Sequence, residues 1–239
     1  MKKLNILIAC EESQAVCKEF RALGHRAFSC DIVECSGGHP EWHIQQDVIP
    51  LLNGNSFFCT CDDKMHVIEG LWDLIIAHPP CTYLTVAGNR WFNEEKYGMD
   101  AYLRKCNREV AVRFFMNFVD AECDHIAIEN PIGIMSSRFM KPHQIIQPYQ
   151  FGHPYAKSTC LWLKNLPKLV PTDIVEPERI HSAGKSGGYS GNSWYVKDEN
   201  GKILSWNDPR TKKERSKTYL GIARAMATQW SEFILKEEL

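Results

Sequence analysis

A mostly parallel α/β sheet with helices on both faces, carrying a small irregular or β insert, is the fold class this sequence predicts. Three observations predict it. The run Leu4-Asn5-Ile6-Leu7-Ile8-Ala9 is almost wholly apolar, as a strand buried on both faces must be. Strand-like and helix-like patterns then alternate along the front half of the chain. Acidic, thiol and amide residues gather after the strands, where open α/β sheets bind their ligands.

Each element has its own signal. Residues 12–23 read as a helix, with Ala15, Val16, Phe20 and Leu23 on one face and Gly24 at its end. A second strand covers residues 27–30 and ends at Asp31, and another strand end is expected near Asp47. Residues 71–77 form a third strand, broken by Pro79-Pro80. Residues 101–120 are the longest helix, with Val110, Phe114, Phe115, Phe118 and Val119 as a core stripe. Residues 125–128 form a strand stopped by Asn130-Pro131, and residues 159–163 a late strand. Residues 179–217 hold several glycines and serines without sustained periodicity, and read as loops with a hairpin around Asn200-Gly201. Residues 219–235 are a final helix, with Ile222, Met226, Trp230, Phe233 and Ile234 on adjoining faces. Three parts follow: a core at 1–163, a small basic segment at 164–215, and a helix at 216–239 that returns to the core.

With 239 residues, 44% hydrophobic and 24% charged, the chain is long enough for one large globular domain. Its first apolar run is too short for a signal core, and no stretch reaches membrane-spanning length, so a cytoplasmic protein is expected. The net charge of −1 hides an asymmetry. Residues 1–75 carry 6 basic and 11 acidic side chains, whereas residues 179–217 carry 9 basic and 4 acidic. A basic segment in a neutral chain points to a local anionic contact, nucleic acid above all, with a solvated lysine-rich loop as the alternative. Ten cysteines in a chain with no export signal read as reduced thiols. Cys59-Thr60-Cys61, with Cys30, Cys35 and His39, lacks the paired Cys-x-x-Cys spacing of a zinc site, and no metal is expected.

The strand ends carry the chemistry. Cys10-Glu11-Glu12-Ser13 follows the first strand and Asp31 the second. A carboxylate at Asp31 is placed to accept from the two hydroxyls of a ribose. Asp47 would accept from an adenine amino group or cap a turn. Cys81 follows His78-Pro79-Pro80, and a thiol on a proline-stiffened turn is positioned for nucleophilic attack. Glu129-Asn130-Pro131 brings a carboxyl to the same sheet edge, pairing a nucleophile with a proton donor.

This constellation resembles the DNA cytosine-5 methyltransferases, notably short phage or prophage versions, and does so over most of the chain and in family order. Pro80-Cys81 is similar to the family's Pro-Cys nucleophile motif, and Glu129-Asn130-Pro131 to its Glu-Asn-Val motif. Asp31 matches the acidic residue that holds the ribose of S-adenosylmethionine, and Gln46-Asp47-Val48 the aspartate near the adenine. Phe151-Gly152-His153-Pro154-Tyr155-Ala156-Lys157-Ser158-Thr159 resembles the Phe-Gly-x-Pro-Gln-x-Arg-x-Arg stretch. Gly221-Ile222-Ala223-Arg224-Ala225-Met226-Ala227 resembles the last motif, on the cofactor side.

The resemblance implies a Rossmann-like S-adenosylmethionine-dependent fold. It implies Cys81, Glu129 and Lys157 as catalytic residues, and Ala9, Cys10, Glu11, Ser13, Asp31, Ile32, Asp47, His78 and Pro79 around the cofactor. Pro80, Asn130, Pro131, Arg179, Lys185, Arg210, Lys212, Lys213 and Arg215 would meet the substrate. Trp194, Tyr195 and Trp206 would pack the hairpin or support a displaced strand. The implied partner is double-stranded DNA with its target base flipped out. The implied role is phage or prophage DNA modification by a monomer or weak dimer. Three departures stand beside it. The first loop, Ala9-Cys10-Glu11-Glu12-Ser13-Gln14, has no glycine. The Gln-x-Arg-x-Arg charges reduce to Lys157, and Thr82 follows Cys81 instead of glutamine. An amino-methyltransferase on adenine or cytosine N4, and a catalytically inactive DNA-binding or anti-restriction protein, are the alternative readings; RNA is an alternative substrate.

Overall fold

The computed structural model describes residues 2–177, 179–182, 189–192, 196–205, 208–211 and 218–237, with the side chains at 87, 179–182 and 189–192 left aside. Its centre is a seven-stranded sheet of β1 (Asn5–Ala9), β2 (Arg26–Asp31), β3 (His43–Gln45), β6 (Leu74–Ala77), β7 (Ile126–Pro131), β8 (Gln144–Ile146) and β9 (Thr159–Lys164). The strand order is β3-β2-β1-β6-β7-β9-β8. β1, β2, β3, β6 and β7 pair in parallel, while β9 runs antiparallel to both β7 and β8. The α/β class expected from the sequence is the class observed.

The alternation of side chains along β1 assigns the helices to faces. Ile6 and Ile8 join Val16, Phe20, Leu74, Ile76, Ile222, Met226 and Trp230 in one core, under α1 (Ala15–Ala22) and α4 (Leu220–Glu237). Leu7 and Ala9 join Phe28, Ile75, Ala77, Phe115, Phe118 and Trp162 in the other, under α2 (Glu94–Val119). A hairpin of β4 (Ser56–Cys59) and β5 (Met65–Ile68) closes this second face, with Phe58 and Ile68 turned inward. Among the described residues no helix is long and apolar enough to cross a membrane.

Several expectations need correction. α1 starts at Ala15, not at residue 12, because Gln14 ahead of it takes a left-handed conformation. The strand expected over 71–77 is confined to Leu74–Ala77, and Trp72 is buried with its indole N–H on Leu51 O at 2.7 Å. α2 starts seven residues before the expected 101. Asn93 caps it by accepting from the Lys96 N–H at 3.0 Å, and the helix breaks at Gly98, which has φ 51°. Val110, expected in the core, is 54% exposed. Asn130-Pro131 does not stop β7, which runs on to pair Pro131 with Thr159 of β9. β6 ends opposite Ile128, so proline falls where one flank of the strand is unpaired.

β4, β5 and β8 and the short α3 (Met135–Arg138) are elements the sequence reading did not place. Beyond β9, β10 (Arg179–Ser182) pairs antiparallel with β11 (Tyr189–Asn192). The turn at Asn200-Gly201 is present, with Gly201 at φ 78° and Lys197 bridging Ile203. Lys185, Trp194, Tyr195, Trp206, Lys212, Lys213 and Arg215 lie outside the described residues.

Candidate active site

The carboxyl ends of β6 and β7 are tied together. Ala77, the last residue of β6, sits opposite Ile128, and β7 continues beyond it as Glu129-Asn130-Pro131, paired with β9 on its other flank. The Asn130 side-chain amide, buried, donates to Pro79 O at 2.7 Å. Cys81 O accepts the N–H groups of Leu84 and Thr85, both at 3.0 Å, which folds the chain after the prolines into a tight turn. That turn docks on the segment after β7: Ile134 N–H donates to Leu84 O at 2.8 Å, and Thr85 bridges Gly133. A side chain at Gly133 would overlap Leu84 O, so only glycine permits this approach. The half-buried Cys81 thus stands on a turn fixed by proline on one side and backbone hydrogen bonds on the other.

Glu129, one residue beyond Ile128 and so level with His78, is occupied. His78 Nδ1 donates to Glu129 Oε2 at 3.1 Å, and the Thr218 hydroxyl donates to the same oxygen at 3.3 Å. Burial works to raise the Glu129 carboxyl, but the hydrogen bond and charge of His78, with Lys157 and Thr218, outweigh it and hold the carboxyl below its usual range. Burial likewise works to strip the His78 proton, and Glu129 and Glu11 outweigh that, so the imidazole holds its proton above the usual 6.5. Each partner thus favours the charged form of the other. His78 Nε2 and Asn130 Oδ1 are buried and have no hydrogen-bond partner among the described residues. The Lys157 ammonium lies over the Tyr219 ring, 5.7 Å from its centre. Gly221 donates its N–H to His153 Nε2 at 3.0 Å, joining the 151–159 stretch to the start of α4.

A cavity of about 770 Å³ opens next to this edge. Cys10, Asp31, Ile32, Asp47 and Pro80 line it, so five of the residues singled out in the sequence share one wall system. The size falls in the range of small-molecule and cofactor sites. Ile32 is 74% exposed and offers an apolar face to whatever enters. Asp31 Oδ1 accepts from Val33 N–H at 3.0 Å, and Asp47 Oδ1 from Ile49 N–H at 3.1 Å, so each carboxylate is oriented by its own turn. Val110, Ala111 and Phe114 of α2 also line it, and of these Val110 and Phe114 were expected in the core. Their signal was the apolar stripe itself, which by period cannot separate a cavity wall from a core face.

The loop after β1 has no glycine yet makes a glycine-like bend. Cys10 and Gln14 adopt φ 60° and 58°. Cys10 N–H donates to Cys30 O at 2.7 Å. The buried Gln14 side chain accepts from His39 N–H at 3.0 Å and donates to His39 O at 2.9 Å and Ser29 Oγ at 3.2 Å. Glu11 is turned inward, its two oxygens accepting from Val16 and Cys17 N–H at 2.6 and 3.2 Å, so it caps α1. Burial pushes its carboxyl up to about 7. Ala9 is buried in β1, Ser13 is half-buried in the loop, and Pro79 is buried behind His78. Burial also raises the thiols of Cys10, Cys17 and Cys123, and lifts Cys30 to about 12, which disfavours their thiolate forms.

The remaining candidates are dispersed. Pro131 is in β7 and Arg179 in β10, while Arg210 pairs with Asp208 at 3.0 Å. Among the described residues no group of His, Cys, Asp and Glu is arranged to hold a metal ion.

No protein-family model matches the chain, and no curated protein matches it by sequence. Among solved structures, one match is a crystal structure of an E. coli protein provisionally described as a DNA modification methyltransferase encoded within a prophage. The two are 15% identical over 73% of this chain and 52% of that one, with a TM-score of 0.44. The chain therefore spans about half the length of that protein.

Proposed function

We propose that the protein is an S-adenosylmethionine-dependent DNA methyltransferase acting on C5 of a flipped cytosine. The observation that carries this reading is the Pro79-Pro80-Cys81 turn fastened to Glu129-Asn130 at the edge of the cavity lined by Asp31, Ile32 and Asp47. Cytosine C5 is too weak a nucleophile to take a methyl group unaided. A thiolate added at C6 makes C5 an enamine carbon, and cysteine is the side chain suited to that addition. Glu129 would steady the charge that develops at N3, and Lys157 is near enough to act on Glu129 electrostatically. Asp31, Ile32 and Asp47 would hold the nucleoside part of S-adenosylmethionine, which supplies an electrophilic methyl group when bound. Asn130 Oδ1 and His78 Nε2, buried and without a hydrogen-bond partner among the described residues, fit a polar ligand at that edge.

The domain division at 1–163, 164–215 and 216–239, the basic segment as the region that reads DNA, and a cytoplasmic phage or prophage modification role belong to this proposal. The test is a covalent trap. The protein is incubated with S-adenosylmethionine and DNA containing 5-fluorocytosine, whose fluorine cannot leave as a proton does. A denaturing gel should show an adduct that Cys81→Ser abolishes. Methyl transfer to ordinary DNA that survives Cys81→Ser would overturn the C5 assignment in favour of an amino target.

A further inference from the structure

His78 has no step of its own in the chemistry above. It is the first residue after β6, and its backbone N–H is fixed on Ala9 O at 2.9 Å. Its Nδ1 lies 3.1 Å from Glu129 Oε2, and the two side chains are 13% and 16% exposed. Thr218 donates to the same carboxylate oxygen. Two further charged groups act on the imidazole: Glu11, on the loop after β1, and Lys157, ahead of β9. Its Nε2 is buried with no hydrogen-bond partner among the described residues. A basic ring that donates to a carboxylate and is screened from water is a place to keep a proton.

We propose that His78 is the positioning residue that stores the proton which Glu129 delivers to the target base when Cys81 adds to it. This rests on the cytosine-5 reading. In the addition, the Cys81 thiolate pair forms the Sγ–C6 bond, the C5–C6 π pair moves to C4–C5, and the C4–N3 π pair becomes a lone pair on N3. The proton that N3 then binds leaves His78 Nδ1. Glu129 accepts it at Oε2 and, by turning about its Cγ–Cδ bond, presents it to the ring. Thiolate, carboxylate and imidazolium become thioether, carboxylate and neutral imidazole, with the net charge unchanged. After C5 takes the methyl group, the N3 proton returns to the pair. The arrangement lets Glu129 stay ionised in the resting protein and still act as an acid when a base is present.

The experiment measures single-turnover adduct formation on 5-fluorocytosine DNA against pH, for the wild type, His78→Asn and His78→Gln. It also follows the His78 ring resonances by NMR in the wild type and in Glu129→Gln. The expected result is a roughly 100-fold slower adduct in both His78 variants. The alkaline fall of the wild-type rate should move to lower pH in these variants, toward Glu129's own titration. Glu129→Gln should lower the pH at which His78 titrates. Wild-type rates and pH profile in the folded His78 variants would overturn the proposal, as would a His78 titration indifferent to Glu129→Gln. The absence of any wild-type adduct would instead overturn the cytosine-5 reading, and the proposal with it. The NMR arm reports on the pair in either case.

Discussion

The loop after β1 and the turn after β6 leave neighbouring parallel strands at the same sheet edge, yet they hold their shapes by opposite means. The β6 turn is held by its backbone: two prolines, the Leu84 and Thr85 N–H groups on Cys81 O, and the Gly133 approach. The β1 loop is held by side chains. Gln14 bonds across to Ser29 and His39, and Glu11 caps α1 from inside. Its left-handed Cys10 and Gln14 sit where a glycine would cost nothing. A loop can therefore reach a left-handed bend without glycine, provided a buried polar network offsets the strain. The difference also predicts sensitivity: the β6 turn should be intolerant of added atoms, and the β1 loop of lost ones.

The largest effect is expected at Gly133→Ala. Its new methyl group would overlap Leu84 O, which cannot retreat without moving the Cys81 turn. Urea unfolding should show a loss of about 3 kcal/mol or more, and adduct formation should fall with it. A stability within error of wild type would mean the backbone does not hold that turn.

Glu11→Gln comes next, and its effect depends on pH. The folded carboxyl titrates at about 7, well above the 4.5 of the unfolded chain. The folded protein thus binds more protons between those values, and wild-type stability should decline as pH rises from 4.5 to 7. At 1.36 kcal/mol per unit the decline is about 3 kcal/mol, an upper figure. Denaturant titrations from pH 4.5 to 8 should show the slope in the wild type and its loss in Glu11→Gln. A slope unchanged by the substitution would remove Glu11 as its source.

Gln14→Ala should cost about 2 kcal/mol, because it takes the amide away from both the His39 N–H and the His39 carbonyl. Under the proposed function it should weaken S-adenosylmethionine binding by calorimetry more than it slows adduct formation at Cys81. Cys10→Gly is the smallest change. Relief of the left-handed conformation and the added freedom of the unfolded chain offset one another, and the shift should stay under about 1 kcal/mol. A stabilisation well beyond that would show that the network leaves strain uncompensated.

The sequence was most legible where one physical signal dominated. β1 and β6 are apolar runs, and the proline-cysteine pair after β6 and the glutamate-asparagine pair near the end of β7 become neighbours through the parallel pairing. It was least legible where a pattern served two ends. The β4–β5 hairpin alternates inward Phe58 with exposed Phe57 and Val67, is short, and turns at Asp62-Asp63 without glycine. The α2 stripe mixes core residues, Phe115 and Phe118, with cavity-wall residues, Val110 and Phe114. The His78–Glu129 pair spans 51 positions and leaves no local trace, since only the parallel pairing of β6 and β7 brings it about.

α4 covers the same sheet face as α1, and Arg224 reaches Glu19 across 205 positions of chain. During synthesis the apolar side of β1 and α1 must therefore wait, uncovered, until residues near Trp230 have left the ribosome. A contact this distant in sequence slows folding and prolongs exposure of a surface prone to aggregation. The protein should accumulate in soluble form more readily when chains are made slowly or a chaperone holds that face, and truncation ahead of α4 should yield insoluble chains rather than a smaller folded core.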